Sequence, residues 1–226
     1  MKPKDTTKSQ GGNELLSSKQ ISAAVDSGRE ALRGAGVEPT PALLDAIMSY
    51  IELLLRWNRK LNLTAITDPR EIITRNFAES FLATRWLRAA EGKLCDVGSG
   101  AGFPGLALKL VLPGWQVALL EPSHKKGAFL SEVARTLQLG SVQVNCARWH
   151  ESEIAENTLD AITSRALGGY AELTEWAYSR LRPQGKLILW VGANDAAELV
   201  KSGRWRWERQ PVPGSRERVL LAGTPA

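Results

Sequence analysis

The stretch Asp96–Gly105, DVGSGAGFPG, places four glycines in ten residues, directly after the short apolar run KLC at residues 93–95. Glycine has no Cβ, so it adopts positive φ values and lets another molecule approach the main chain closely. A loop that leaves a strand and opens a helix lies at the carboxyl edge of a parallel sheet, where such folds bind ligands. Because the alternating Gly98, Gly100 and Gly102 exceed what a tight turn needs, we expect this loop to bind a ligand.

Strand-like and helix-like segments alternate around this loop. The predicted strands cover residues 93–98, 116–121, 142–146, 159–166 and 186–192, and helical segments lie between them, the last of these at 170–185. This alternation predicts a parallel, doubly wound α/β sheet. Two final strands, 204–210 and 215–222, leave no room for a helix between them and should pair antiparallel. The layout resembles the Rossmann-like fold of class I methyltransferases, a seven-stranded, mostly parallel sheet with a C-terminal antiparallel hairpin.

Two long helical segments precede the first strand. One begins at Thr40 and Pro41, a residue pair typical of a helix N-terminus, and the other follows Asp68-Pro69. Residues near the N-terminus are rich in Lys, Ser, Gly and Thr and are expected to be loose. The chain therefore divides into a disordered tail (1–20), an N-terminal helical extension packed on the core (21–90) and a ligand-binding core (91–226).

Composition narrows the class of protein. The 226 residues are 43% hydrophobic, and no apolar run approaches the roughly 20 residues of a membrane-spanning helix. The first residues contain no apolar signal core, so we expect a cytoplasmic protein without a membrane partner. The net charge of +5 suits a nucleic-acid partner but is weak support on its own. We expect a monomer.

The cysteines and histidines do not form a site. Cys95 and Cys146 lie in apolar strand-like runs, so we expect buried free thiols and not a disulfide. His124 and His150 are far apart and have no partners at metal-ligand spacing. The sequence therefore predicts no metal site.

Two kinds of ligand, a dinucleotide and a methyl donor, are compatible with the glycine loop. Gly100, Gly102 and Gly105 fit the dinucleotide pattern G-x-G-x-x-G, but this frame starts four residues after Asp96, where the strand ends. The frame that starts at Asp96 is D-x-G-x-G-x-G, which resembles the first motif of methyltransferases that use S-adenosylmethionine (SAM). Glu121, at the end of the second strand, could accept hydrogen bonds from ribose hydroxyls in either case. The helical extension, the hairpin and the lack of a second domain favour SAM.

Three stretches narrow the class to a family. They are RWNRKLNLTAITDPREIITRNFAES at residues 56–80, DVGSGAGFPGLALKLVLP at 96–113 and ITSRAL at 162–167. Together they resemble the ribosomal small-subunit methyltransferase G family, also called glucose-inhibited division protein B, from about Leu53 to Gly192. The resemblance implies methylation of N7 of a guanosine in 16S ribosomal RNA, with SAM as cofactor and 16S rRNA or the 30S subunit as partner.

The resemblance also implies roles for individual residues. Gly98 and Phe103 match family positions at the SAM pocket, and Arg148, Trp149 and His150 fall where the family borders the adenine. With Glu121 and the remaining loop glycines, the predicted cofactor-binding set is Gly98, Gly100, Gly102, Phe103, Glu121, Trp149, His150 and Arg165. The predicted RNA-binding set is Arg56, Lys60, Lys125, Lys126 and Arg148.

Four positions depart from the family pattern. Asn76 and Glu79 replace its usual His and Asp, His150 replaces an acidic residue, and Val191 replaces a Lys. These positions are expected near the mouth of the pocket. Two alternatives therefore stay open: a SAM-dependent enzyme with another nucleobase or a small molecule as acceptor, and an inactive SAM-binding protein.

The sequence motifs are compatible with guanine N7 as the methyl acceptor. The fourth strand ends in SRAL, without the Asn/Asp-Pro-Pro-aromatic motif of exocyclic-amine methyltransferases, and neither cysteine follows a proline as in cytosine-C5 enzymes. N7 carries an in-plane lone pair and no proton, so the site needs alignment and no general base. Arg165, the predicted catalytic residue, would position guanine O6 or a phosphate. Its structural alternative is an ion pair with Asp160 or Glu121.

Overall fold

A computed structural model describes residues 17–165 and 168–226, and within them a single seven-stranded sheet runs through the molecule. The strands are β1 (Gly92–Val97), β2 (Trp115–Leu120), β3 (Val142–Asn145), β4 (Leu159–Arg165), β5 (Leu181–Gly192), β6 (Trp205–Pro211) and β7 (Arg218–Pro225). Their order is β3-β2-β1-β4-β5-β7-β6. The first five are parallel, and β7 pairs antiparallel with both β5 and β6. The predicted α/β fold with its C-terminal antiparallel hairpin is confirmed.

Helices cover the sheet and precede it. The α-helices are α1 (Ser18–Ser27), α2 (Arg29–Gly34), α3 (Pro41–Leu61), α4 (Pro69–Glu71), α5 (Glu79–Phe81), α6 (Gly105–Val111), α7 (His124–Thr136), α8 (Tyr170–Arg180) and α9 (Ala193–Leu199). A π-helix (Ile72–Ala78) and a 3-10 helix (Leu82–Trp86) join α4 and α5 into one helical run over residues 69–86.

The predicted helix starts before the sheet are confirmed at two sites. Thr40 caps α3 by accepting a hydrogen bond from the Leu43 amide, and Asp68 caps α4 through the Arg70 amide. Further upstream, Ser17 and Gln20 form a reciprocal cap for α1. The segment 1–20 was expected to be loose, but α1 begins inside it, at Ser18. Residues 1–16 lie outside the described part of the chain.

The helix before β5 is shorter than the sequence predicted. We expected residues 170–185 to be helical and to stop at Pro183 and Gly185, whereas α8 ends at Arg180 and β5 begins at Leu181. The pairing of β4 with β5 shifts register between Leu159 and Ala161. The proline and glycine therefore lie in an irregular strand start, a position that tolerates them.

The extension and the sheet share one apolar cluster. Ile47, Ile51 and Leu54 of α3 are fully buried, and they belong to the same cluster as Leu119 of β2 and Leu106 of α6. This cluster covers one face of the sheet, while a second cluster under α8 covers the other. The extension is therefore an integral layer of the fold.

The hairpin strand β6, at whose start Arg and Trp alternate over residues 204–207, presents its tryptophans to the core. Trp205 is buried and Trp207 half-buried, with ring centroids 5.5 Å apart, whereas Arg206 between them is exposed. Alternation along a strand places neighbouring side chains on opposite faces. The Arg-Trp repeat thus packs the hairpin and does not form an exposed stacking platform.

The two cysteines are free, but only one is buried. Cys95 lies in the middle of β1 with no exposure, while Cys146 is exposed. The expectation that both thiols are buried was wrong for Cys146, because β3 ends at Asn145 and the chain turns to the surface there. No helix in the described residues is long and apolar enough to cross a membrane.

The glycine loop is anchored on the extension by Tyr50, a fully buried residue of α3. Its hydroxyl donates a hydrogen bond of 2.8 Å to the Ala101 carbonyl, and its ring stacks on Phe103 at 5.2 Å. A Cβ on Gly102 would lie 2.0 Å from the Tyr50 hydroxyl oxygen. The loop and the extension therefore meet so closely that only glycine fits.

We expect Gly102→Ala to lower the free energy of unfolding by about 2–4 kcal/mol, because overpacking adds to the strain of a residue with positive φ. Gly100→Ala is the matched control: Gly100 also has a positive φ, but its Cβ would come no closer than 3.8 Å to another atom. It should lose only about 1 kcal/mol. Urea denaturation measures both, and equal losses would contradict the packing argument.

A double-mutant cycle isolates the contact itself. Tyr50→Phe removes the hydroxyl that the new methyl group would meet, so the cost of Gly102→Ala should be smaller in this background than in the wild type. The cost of Gly100→Ala should be the same in both backgrounds.

Candidate functional site

The glycine loop follows β1 at the carboxyl edge of the sheet. Gly98, Gly100 and Gly102 adopt φ values of 73°, 54° and 85°, as their alternation predicted. The Gly98 amide donates a hydrogen bond of 2.9 Å to the Leu120 carbonyl at the end of β2, which fixes the start of the loop. The loop therefore presents main chain, free of side chains, next to the ends of two neighbouring strands.

Glu121, the residue after β2, is bound to this loop. Its carboxylate accepts hydrogen bonds of 2.9 Å from the Gly100 and Ser123 amides, one on each oxygen. Only 5% of the residue is exposed, so the alternative of a solvated surface carboxylate was wrong. Each carboxylate oxygen has a second lone pair, so Glu121 can hold the loop and still accept a hydrogen bond from a ligand.

Asp96, at the start of the glycine motif, is fully buried. The Thr163 hydroxyl donates a 2.7 Å hydrogen bond to its Oδ1, while Oδ2 has no hydrogen-bond partner among the described residues. Oδ2 lies against Gly105, the first residue of α6, where a Cβ would be 2.7 Å away. Burial raises the pKa of Asp96 to about 6, although the hydrogen bond from Thr163 opposes this.

The loop and its neighbours fit SAM. The space over Gly100 is open, since its nearest neighbour to an added Cβ is a backbone oxygen at 3.8 Å, and the residue is partly exposed. A nucleoside can therefore lie against the main chain here. Glu121 stands beside it with an acceptor for ribose hydroxyls.

The residues predicted to border the adenine follow β3. Trp149 and His150 begin a short 3-10 helix (Trp149–Glu151), with the Trp149 ring packed edge-on against Trp176 at 5.6 Å. His150 and Arg148 are exposed, and His150 Nε2 lies 3.8 Å from a Glu151 carboxylate oxygen. The other Glu151 oxygen accepts a hydrogen bond of 3.3 Å from the Arg148 amide, and the adenine contact stays a prediction.

Phe103 was predicted to bind the cofactor, but its ring packs inward. It is 8% exposed, stacks on Tyr50 and meets Phe77 edge-on at 5.0 Å between ring centroids. These contacts give Phe103 an anchoring role between loop and extension. A cofactor contact from its backbone stays a prediction.

Arg165 ends β4 and reaches across to the π-helix of the extension. Its guanidinium donates 2.8 Å hydrogen bonds to the Arg75 carbonyl and to Asn76 Oδ1. Burial lowers the pKa of Arg165, and the nearby Glu79 carboxylate opposes this. The alternative, an ion pair of Arg165 with Asp160 or Glu121, was wrong. Asp160 pairs with Arg182 instead, and Glu121 binds backbone amides. Residues 166–167, the end of the ITSRAL stretch, lie outside the described residues.

A second ion pair lies beside Arg165. Glu79, 5% exposed, pairs at 2.6 Å with Arg218, the first residue of β7. The Trp190 indole donates to the Glu79 carbonyl at 3.0 Å. Sequence reasoning singled out Asn76 and Glu79 only as departures from the family and missed Arg218, which no motif marks. Val191 was expected near the pocket mouth, but it is buried in the apolar cluster under α8.

The predicted RNA-binding residues lie on several elements. Arg56 pairs with Glu132 of α7 at 3.1 Å and still exposes 60% of its side chain. Lys60 lies in the last turn of α3 and Lys125 in the first turn of α7, both exposed, while Lys126 is half-buried. Four of the five predicted RNA-binding residues are thus exposed, including Arg148. Their contact with RNA stays a prediction. Within the described residues no cluster of three acidic, His or Cys side chains could hold a metal ion.

Comparison with known proteins agrees with this geometry. The model of the family described as rRNA small subunit methyltransferase G matches residues 43–208. "Ribosomal RNA small subunit methyltransferase G 1" of Syntrophobacter fumaroxidans is 34% identical over 88% of this chain and 90% of its own length. A protein named ribosomal RNA small subunit methyltransferase G from Xanthomonas axonopodis pv. citri is 34% identical over 83% and 85%.

Solved structures share the fold at low identity. A SAM-dependent methyltransferase from Aquifex aeolicus superposes with a TM-score of 0.59 at 15% identity, covering 73% of this chain and 97% of that one. A ribosomal protein L11 methylase from Lactobacillus delbrueckii gives 0.57 at 12% identity, covering 68% and 80%.

The strand order and the glycine loop between β1 and α6 define a class I SAM-dependent methyltransferase. The chain belongs to the rRNA small subunit methyltransferase G family.

The buried Asp96 makes stability depend on pH. Its pKa in the folded state is raised, so the protonated carboxyl stabilises the fold below pH 4, and this contribution is lost as the pH rises through about 6. Asp96→Asn mimics the protonated form. Its unfolding free energy relative to wild type should therefore rise by about 2 kcal/mol between pH 4 and pH 7.

Denaturation across this pH range measures the difference. The same substitution at Asp45, exposed on α3, is the matched control and should follow the wild type. A constant offset for Asp96→Asn across the range would contradict a titrating carboxyl at this position.

Proposed function

We propose that the chain methylates N7 of a guanosine in 16S ribosomal RNA with SAM as methyl donor. The observation that carries the proposal is the family match over residues 43–208, which includes most of α3, the helical run over residues 69–86, the glycine loop and Arg165. The curated relatives are named for methylation of small-subunit ribosomal RNA. The same proposal includes 16S rRNA or the 30S subunit as partner, a cytoplasmic location and a monomeric state.

The residues present would hold the cofactor in three ways. The loop gives it bare main chain at Gly98 and Gly100, whereas the predicted contact at Gly102 is disfavoured because that residue is buried against Tyr50. Glu121 offers a carboxylate to the ribose, and the segment from Arg148 to His150 would border the adenine. When bound, SAM supplies a methyl group on a sulfonium, which guanine N7 accepts without losing a proton. The protein therefore needs to orient the acceptor and exclude other poses, and no general base is required.

Arg165 is suited to orienting the acceptor. It lies at the end of β4, between the loop after β1 and the ion pair of Glu79 with Arg218. Its hydrogen bonds to Asn76 Oδ1 and the Arg75 carbonyl hold the guanidinium in one direction. Those bonds use Nη1 and Nη2, and each of these nitrogens has a second N–H for guanine O6 or a phosphate.

A methyl-transfer assay tests the proposal. Unmodified 30S subunits and naked 16S rRNA are incubated with radiolabelled SAM, and the modified nucleoside is identified by digestion and mass spectrometry. Label at guanosine N7 in either substrate supports the proposal. Label at another base supports the alternative acceptor, and SAM binding with no transfer to either RNA supports the inactive binder.

We expect Arg165→Ala to lower kcat by about 100-fold, since misplacement of an acceptor by about an ångström has an effect of this size. SAM affinity, measured by calorimetry, should change by less than about twofold. The control is Arg182→Ala, which removes an exposed arginine of β5 that pairs with Asp160. A loss of SAM affinity with kcat preserved would place Arg165 in the cofactor pocket.

A further inference from the structure

A cavity of about 580 Å³ lies beside Arg165 and is distinct from the glycine loop. It is enclosed by α2, the helical run over residues 69–86 and the turn between β6 and β7. Its lining includes the apolar Ala31, Leu82 and Pro213 and the charged Arg75, Glu79 and Arg218. A volume of this size is in the range of small-molecule and nucleotide sites.

The cavity lies at the ligand-binding edge of the sheet. Arg218 pairs with Gly192, the last residue of β5, so the start of β7 lies level with the carboxyl ends of the parallel strands. In the sheet order, β7 is two strands from β4, which ends at Arg165. Neighbouring strands are about 4.8 Å apart, so the part of the cavity at Arg218 is roughly 10 Å from the end of β4.

Two kinds of surface line the cavity. The alanines, Leu82 and Pro213 form an apolar wall, and charged groups line another part. Glu79 neutralises Arg218, but no carboxylate of the described residues pairs with the side chain of Arg75, which is exposed. Arg165 is close by, since it donates a hydrogen bond to the Arg75 carbonyl, and Glu79 is the one carboxylate among the described lining residues. This combination suits a ligand with a flat apolar part and a negative charge, such as a ribonucleotide.

We propose that this cavity holds a nucleotide of the acceptor RNA that lies next to the methylated guanosine in the RNA chain. The inference rests on the proposed function and adds a second substrate contact to it. The acceptor base itself must reach the methyl donor at the ends of β1 and β4, which leaves the part of the cavity at Arg218, two strands away, for another nucleotide. A neighbouring nucleotide spans that distance, with its base on the apolar wall and its phosphate at Arg75.

A substitution that fills the cavity tests the proposal kinetically. Gly34 is a lining residue with no atom within 4 Å of its Cβ position, so Gly34→Trp can be accommodated without disturbing the core. We expect KM for unmodified 30S subunits to rise about tenfold, with kcat and SAM affinity within about twofold of wild type. Gly203→Trp, which is equally open but lies before β6 and away from the cavity, is the matched control. An unchanged KM for Gly34→Trp would overturn the proposal.

Cross-linking identifies the occupant. A photoreactive benzoylphenylalanine replaces Gly34, the variant is irradiated on unmodified 30S subunits, and the cross-link is mapped by reverse transcription and mass spectrometry. We expect a cross-link within two nucleotides of the methylated guanosine. A cross-link to a distant part of the RNA, to a ribosomal protein, or to nothing overturns the inference. Methylation by the wild type is measured in parallel, because its absence would overturn the proposed function instead.

Discussion

The contact between the Tyr50 hydroxyl and the bare backbone of Gly102 is the constraint on which the site depends. The alternating glycines of the loop have no side chains to pack, so contacts from neighbouring elements fix its shape. Tyr50 imposes it from α3 through the bond to the Ala101 carbonyl, and Glu121 does so from β2 through the Gly100 amide. A loop that stays open to a ligand is in this way fixed on both sides before any ligand arrives.

The same contact explains why an N-terminal extension belongs to a methyltransferase core. Phe77 of the π-helix packs edge-on against both Tyr50 and Phe103, so the helical run over residues 69–86 and the glycine loop share one aromatic cluster. The π-helix also carries the groups that bind Arg165. The loop, Arg165 and the cavity therefore all contact the same helical run, and π-helical turns are frequent at functional sites.

Much of this architecture could be predicted from sequence, because local signals determine it. Alternating strand and helix patterns gave the sheet, Thr40 with Pro41 gave the start of α3, and the alternating glycines gave the positive φ values. The side-chain network was not predictable in the same way. Arg218 meets Glu79 across 139 positions in the chain, and no local pattern marks such a pair. The inward packing of Phe103 and the exposure of Cys146 likewise depend on tertiary contacts and on where a strand ends.

The departures from the family pattern bear on whether the chain is active. Asn76 stands where the resemblance implies a histidine, and its Oδ1 accepts the hydrogen bond from Arg165 that a neutral imidazole nitrogen could also accept. Glu79 stands where it implies an aspartate, and its carboxylate keeps a negative partner for Arg218 with one more methylene group. Both replacements therefore keep a hydrogen-bond acceptor for an arginine and change only the side chain that carries this acceptor. Since leaving a buried polar group without a partner is costly, the hydrogen bond to Asn76 and the ion pair of Glu79 keep the region beside Arg165 in place in spite of the two replacements. The departures at positions 76 and 79 are therefore no evidence of an inactive protein.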